Sequence, residues 1–137
     1  MRILIDTNVC LDILQNRQGL CTSSKNALIQ ASDRNDKLFI TTTTVMDIMY
    51  IMRKSIQNNN NQKNLVQTFI SEFRLLKISK RNIDFGFTGL MKDFEDAVQS
   101  GCAKSHFISL ILTRNIKDFV NSPVKAITPE DFLNEYQ

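Results

Sequence analysis

Groups that build nucleophilic or zinc-finger sites are scarce in this sequence: 137 residues contain one histidine and three cysteines. The cysteines, Cys10, Cys21 and Cys102, are odd in number and lie at neither metal-finger nor disulfide-framework spacings, so reduced core thiols are expected. Cys10 and Cys102 stand among aliphatic neighbours, where a thiol serves as a small apolar group. With only His106 to activate a serine or cysteine, a nucleophilic triad is disfavoured. Long hydrophobic runs are also missing. Nothing approaches the roughly eighteen apolar residues of a membrane span, and Asp6 and Asp12 interrupt the opening MRILIDTNVCLDILQNR where a signal peptide would stay apolar. A cytoplasmic protein with no membrane partner is expected. Charge of one sign is limited too: the net charge is +3, without dense Lys/Arg blocks. A nucleic-acid partner is permitted by this balance without being demanded by it.

What is present suits one folded unit over residues 1–137, since 42% apolar residues suffice for one core. Arg2 to Ile5 reads as a buried strand running into a polar turn, and Val9, Ile13 and Leu14 recur at helical spacing. A helix is expected over Ser24 to Asp33, then the β-rich run KLFITTTT. From Thr44 a helical face carries Val45, Ile48, Met49 and Met52, with Arg53 and Lys54 near its end. The polar tract Gln57 to Gln62 has nothing to bury and reads as a flexible loop. Leu65 to Phe73 is amphipathic, LLKIS from Leu75 is a strand, and Ile83 to Gly89 is a short helix ended by glycine. A helix from about Lys92 to Lys104 precedes the strongest strand signal, FISLILT. VKAIT and PEDFLNEY complete the chain as a strand and a helix, with Pro129 at the first helical position. This alternation predicts an α/β domain with a mostly parallel central sheet flanked by helices.

In such a sheet, ligands bind beyond the carboxyl ends of the strands. Asp6 follows the first strand, while Asn115 and Asp118 follow FISLILT. Asp47 falls near the start of the Thr44 helix, and Asp93 and Asp96 lie three residues apart on neighbouring positions of another. Carboxylates gathered in one pocket repel one another and are tolerated mainly when a divalent cation neutralises them. Oxygen donors without His or Cys favour Mg²⁺ or Mn²⁺. Such ions support phosphodiester hydrolysis without a protein nucleophile. Each acid also has a structural reading: Asp47 in a capping box with Thr44, Asp93 at a helix dipole, Asp118 as a turn cap, Asp6 in an Asx turn.

The same residues resemble the PIN domain family, and within it the VapC-like toxins. ILIDTNV is similar to the family's opening strand and first catalytic aspartate, Asp6; TTTVMDIMYIMRK to the segment of the second acid, Asp47; EDAVQSGCA to the third motif, at Asp96. ILTRNIKDF is similar to the fourth, where Asn115 occupies the usual aspartate position. Asp47 replaces the commoner glutamate, and Asn115 offers a carbonyl oxygen without charge; Asp93 and Asp118 are second-rank sources of the missing charge. The resemblance implies a three-layer α/β/α fold and a bacterial endoribonuclease cleaving single-stranded RNA with Mg²⁺ or Mn²⁺. It further implies the toxin of a type II toxin–antitoxin pair, a homodimer, and inhibition by a small cognate antitoxin. Arg53, Lys54, Arg114 and Lys117 are candidate RNA-backbone contacts at the rim. Two other readings compete. A haloacid-dehalogenase-like phosphatase would use Asp6 as nucleophile, but Asn8 stands where its second aspartate belongs. A catalytically degenerate PIN-like module would only bind RNA or a protein.

Overall fold

The computed structural model describes residues 1–55 and 59–137. Strands β1 (Arg2–Ile5), β2 (Lys37–Thr41), β3 (Arg74–Leu76), β4 (Leu110–Leu112) and β5 (Ala126–Ile127) form one sheet in the order β3-β2-β1-β4-β5. All four pairings are parallel; Ile3 stands opposite Leu38 on one side and Leu110 on the other. Alternation along the strands sends side chains to two cores. Ile3, Ile5, Ile40, Leu110 and Leu112 face helices α1 (Thr7–Leu14), α2 (Cys21–Asp33), α3 (Thr42–Ser55), α4 (Asn59–Ile70) and α7 (Pro129–Glu135). Leu4, Phe39, Leu76 and Ile111 face α5 (Lys80–Phe87) and α6 (Phe94–Ser105). The expected three-layer α/β/α domain with a parallel sheet is the observed fold. Among the described residues no helix is long and apolar enough to cross a membrane.

Local differences from the sequence reading have physical causes. The β-rich KLFITTTT splits at Thr41: its hydroxyl accepts from Thr44 N at 3.2 Å, so α3 starts at Thr42 rather than near Thr44. That cap removes the capping-box role considered for Asp47, which lies beyond the first turn. FISLILT contributes only Leu110–Leu112 as strand, because Phe107 takes a left-handed conformation (φ 58°) to turn the chain from α6 back to the sheet. Of the tract expected as a loop, Gln57 and Asn58 lie outside the described residues, while Asn59 to Gln62 open α4 and Gln62 is buried. Tertiary packing, which buries Gln62, overrode the polar composition there.

On the other face, α5 and α6 approach closely. A Cβ at Gly86 would stand 2.7 Å from Val98 Cγ2, so only glycine admits this contact. Glycine there lets α5 pack closely against α6, which carries Asp96 at its amino end.

The helices on the first face are tied to the end of β4 by Arg114. Its Nε donates to Asp12 at 2.8 Å, its Nη1 to Glu130 at 2.6 Å, and its Nη2 to Leu20 O, Ser23 Oγ and Ser24 Oγ. Asp12 is fully buried and also accepts from Ser24 Oγ. The guanidinium fork is thus committed to α1, α2 and α7, which corrects its assignment as an RNA contact: its donors are already used. Because Arg114→Ala strands a buried carboxylate, it should destabilise the fold by about 3–5 kcal/mol. Urea denaturation checks this; an unchanged midpoint would show that the nearby Arg17 alone satisfies Asp12.

Candidate active site

The site lies where the chain changes direction across the sheet. From β1 it moves to β2 and β3, then crosses to β4 on the other side, so the crevice beyond the ends of β1 and β4 is a topological switch point. A cavity of about 340 Å³ opens there, and its walls include Asp6, Asn8, Arg17, Asp93, Glu95, Asp96, Asn115 and Asp118.

Asp6 is the fixed centre. It is 4% exposed, caps α1, and receives two donors on each carboxylate oxygen. Oδ1 accepts from Thr7 N at 2.8 Å and Gln99 Nε2 at 3.1 Å; Oδ2 accepts from Thr113 Oγ1 at 2.7 Å and Asn8 Nδ2 at 3.3 Å. Burial raises its pKa above the usual carboxylate range, with the hydrogen bonds from Thr113, Thr7 and Gln99 opposing and Asp47 reinforcing the rise. The Asx-type contact with Thr7 N therefore exists alongside exposure to the cavity.

The amino end of α6 forms the facing wall. Asp93 is the cap of this helix, its Oδ1 accepting from Asp96 N at 2.9 Å, so the structural role considered for it is realised while it also lines the cavity. Asp96 is pushed up to about 7 by partial burial and by the negative charges of Asp6, Asp93 and Asp118. Glu95 rises to about 8, chiefly through a hydrogen bond with Asp47, then by desolvation and the charges of Asp47, Asp96 and Asp6. Two carboxyls sharing a hydrogen bond must hold a proton between them.

Five of the expected residues, Asp6, Asp93, Asp96, Asn115 and Asp118, therefore meet on one cavity. Asp47 is not part of its wall and reaches it through Glu95. Glu95, Asn8 and Arg17 escaped the sequence reading. The Glu-Asp pair in EDAVQS was a usable signal for Glu95, since both fall in the first turn of α6. Arg17 follows α1, its Nη1 3.5 Å from Asp12 Oδ1 and its side chain about one-third exposed. Of the other rim cations, Arg53 and Lys54 lie over the Tyr50 ring, and Lys117 lines a separate surface hollow with Lys92.

The candidate ligand atoms of the cavity are oxygens, and two of its acids are raised toward neutrality, Asp96 by burial and neighbouring charge and Glu95 by its hydrogen bond with Asp47, burial and neighbouring charge, which is the chemistry that suits a hard divalent cation. Among the described residues no three His, Cys, Asp or Glu side chains are gathered as a formed metal site. Thiol chemistry is disfavoured independently: Cys10 is fully buried and its pKa is driven up by desolvation and by Asp6, while burial pushes Cys102 up to about 11.

Comparison with known proteins places this geometry. The PIN domain signature matches residues 2–117. A toxin–antitoxin complex from Klebsiella pneumoniae is similar in fold at 25% identity (TM-score 0.72, covering 93% of this chain and 97% of the other). VapBC2 from Rickettsia felis, bound to a DNA fragment from its promoter, is similar at 18% identity (TM-score 0.73, 93% and 98% covered). DNA-bound VapBC from Salmonella typhimurium is similar at 18% identity (TM-score 0.73, 94% and 98% covered). No curated protein matches the chain in sequence. A signature running from the first strand past Asn115, on a parallel sheet whose strand ends converge on one acidic cavity, means that the chain belongs to the PIN domain family.

Proposed function

We propose that this protein is a metal-dependent endoribonuclease that cleaves single-stranded RNA with Mg²⁺ or Mn²⁺, and that it acts as the toxin of a bacterial type II toxin–antitoxin pair. The observation that carries the reading is the meeting of Asp6, Glu95 and Asp96 on one cavity, with Asp93, Asn115 and Asp118 beside them. Membership in the PIN domain family and structural likeness to toxin–antitoxin complexes support the nuclease and toxin parts. The same likeness supports a cognate antitoxin as partner, and a homodimer in the cytoplasm belongs to this reading.

Asp6 and Asp96 are the principal cation ligands in this scheme, with Asp47 and Glu95 acting as a hydrogen-bonded pair at the edge. Asn115 offers a neutral oxygen, and Asp93 and Asp118 add charge around it. When bound, the cation lowers the pKa of a water and polarises the scissile phosphodiester. Arg17 supplies positive charge beside this acidic group, where it offsets repulsion of the RNA phosphate. Uncharged Asn115 favours one alternative, a catalytically degenerate PIN-like module that binds RNA or protein without cutting.

Metal-stimulated cleavage of a single-stranded RNA panel decides between the two. Asp6→Asn should lower kcat more than a hundred-fold while circular dichroism stays native, a loss beyond the roughly 10–100-fold typical of removing a ligand's supporting contact. Absence of cleavage by the unmodified protein would leave the binding-module reading standing.

Arg17→Ala should raise KM for RNA and flatten its dependence on salt, because one phosphate contact is lost. A salt slope equal to that of the unmodified protein would remove Arg17 from the RNA path.

The raised acids also predict a pH dependence. Below the normal carboxylate range, folded and unfolded chains both hold these protons; between there and about pH 7–8 the folded chain keeps them while the unfolded chain loses them. Metal-free protein should therefore lose stability as pH rises from about 4 to 8. Mg²⁺ should restore more of the melting temperature at pH 8 than at pH 6, since its ligands must be ionised. Calorimetry in EDTA and in Mg²⁺ tests both; a flat profile contradicts them.

A further inference from the structure

Gln99 occupies an enclosed position, 2% exposed, on the inner side of α6 between Val98 and Ser100. An aliphatic side chain is the ordinary choice at such a place, and a buried amide is costly unless its polar atoms are paired. Here both ends are paired, and to different elements. Oε1 accepts from Thr41 Oγ1 at 3.0 Å and Thr44 Oγ1 at 3.4 Å, at the end of β2 and the start of α3. Nε2 donates to Asp6 Oδ1 at 3.1 Å.

The threonines decide which way the amide points. Thr41 Oγ1 accepts from Thr44 N, and Thr44 Oγ1 accepts from Thr7 Oγ1 at 3.0 Å, which leaves the Thr44 proton for Gln99; the Thr41 proton has two acceptors in reach, Thr44 Oγ1 at 3.4 Å and Gln99 Oε1 at 3.0 Å, and Gln99 is the nearer. With its oxygen engaged by two donors, the amide must turn its nitrogen to Asp6; the flipped amide would set oxygen against carboxylate. Without Gln99, Oδ1 would keep only Thr7 N, while Oδ2 would keep both Thr113 and Asn8.

We propose that Gln99 is a positioning residue for RNA cleavage: its amide, oriented by Thr41 and Thr44, holds the Asp6 carboxylate in one plane facing the cavity. This rests on the nuclease reading above. Gln99 lies three residues beyond Asp96 on the same helix, so the contact also couples the placement of the α6 acids to the acid at the end of β1. Supporting contacts of this kind typically contribute 10–100-fold to metal affinity or activity.

Three variants test it: Gln99→Met, of similar volume without hydrogen bonds; Gln99→Leu, a branched aliphatic that likewise removes both the acceptor and the donor; and Thr44→Val, which leaves Gln99 in place. For the Gln99 variants, kcat on single-stranded RNA should fall about 10–100-fold with KM within about twofold, and Thr44→Val should fall less, in the same direction. Mn²⁺ affinity without RNA, read by electron paramagnetic resonance, should weaken in parallel. In metal-free protein the Asp6 carboxyl ¹³C resonance should move in all three variants while that of Asp131, on α7, stays fixed. If the unmodified protein cleaves and a folded variant retains its kcat and Asp6 resonance, the inference is overturned; if the unmodified protein does not cleave, the nuclease reading fails instead, and the Asp6 resonance alone decides whether Gln99 orients that carboxyl. Should both Gln99 variants fail to fold, Thr44→Val carries the decision, and an unmoved kcat and resonance there would count against the inference.

Discussion

Parallel pairing of β1 with both β2 and β4 is the constraint on which the molecule depends. It delivers three strand ends to the same edge of the sheet, so that Asp6, Thr41 and Thr113 emerge side by side from segments far apart in the chain. The crossover from β3 to β4 then places α6 over that edge, and its amino end supplies the facing carboxylates. Antiparallel pairing of any one of these strands would have sent its end to the opposite edge.

The electrostatics of this edge are divided between two carboxylates on α1. Asp12, at the far end of the helix, is buried with Arg114 and Ser24 against it, and its charge is neutralised within the fold. Asp6, at the cap, is buried with four donors and, among the described residues, no ion-pair partner, and its neighbours across the cavity are themselves acids. Hydrogen bonds from neutral groups orient a carboxylate without cancelling its charge. The acidic cavity therefore keeps uncompensated negative charge where the Asp12 network does not, and this contrast distinguishes the two carboxylates although both are buried.

The wall residues show that an acid at a helix start can cap the helix and line the cavity at once. Asp47 lies within α3, beyond the cap made by Thr41; it is not in the cavity wall, but hydrogen-bonds Glu95 and acts by its charge on Asp6. Asp93, whose position suggested a dipole role, both caps α6 and faces the cavity. A side chain at a helix start has a free backbone donor to accept and an open end of the helix to face, so structural and site roles are compatible there.

The sequence by itself determined the layer architecture and most elements, because apolar alternation and helical spacing are local consequences of which residues need burial. It also determined the acids at strand ends and the oxygen-only donor chemistry, since residue type alone fixes those. What only the tertiary structure decided were relations between distant segments. Arg114 reads as a free cation until α1, α2 and α7 close around it, and Asn59 to Gln62 read as loop until α4 buries Gln62. Gln99 is an ordinary polar residue in the chain, and becomes a contact of Asp6 only because the crossover lays α6 across the end of β1. Spacing along the chain reports what one helix or strand presents; which groups share a proton, a charge or a cavity depends on packing between elements, which no local pattern encodes.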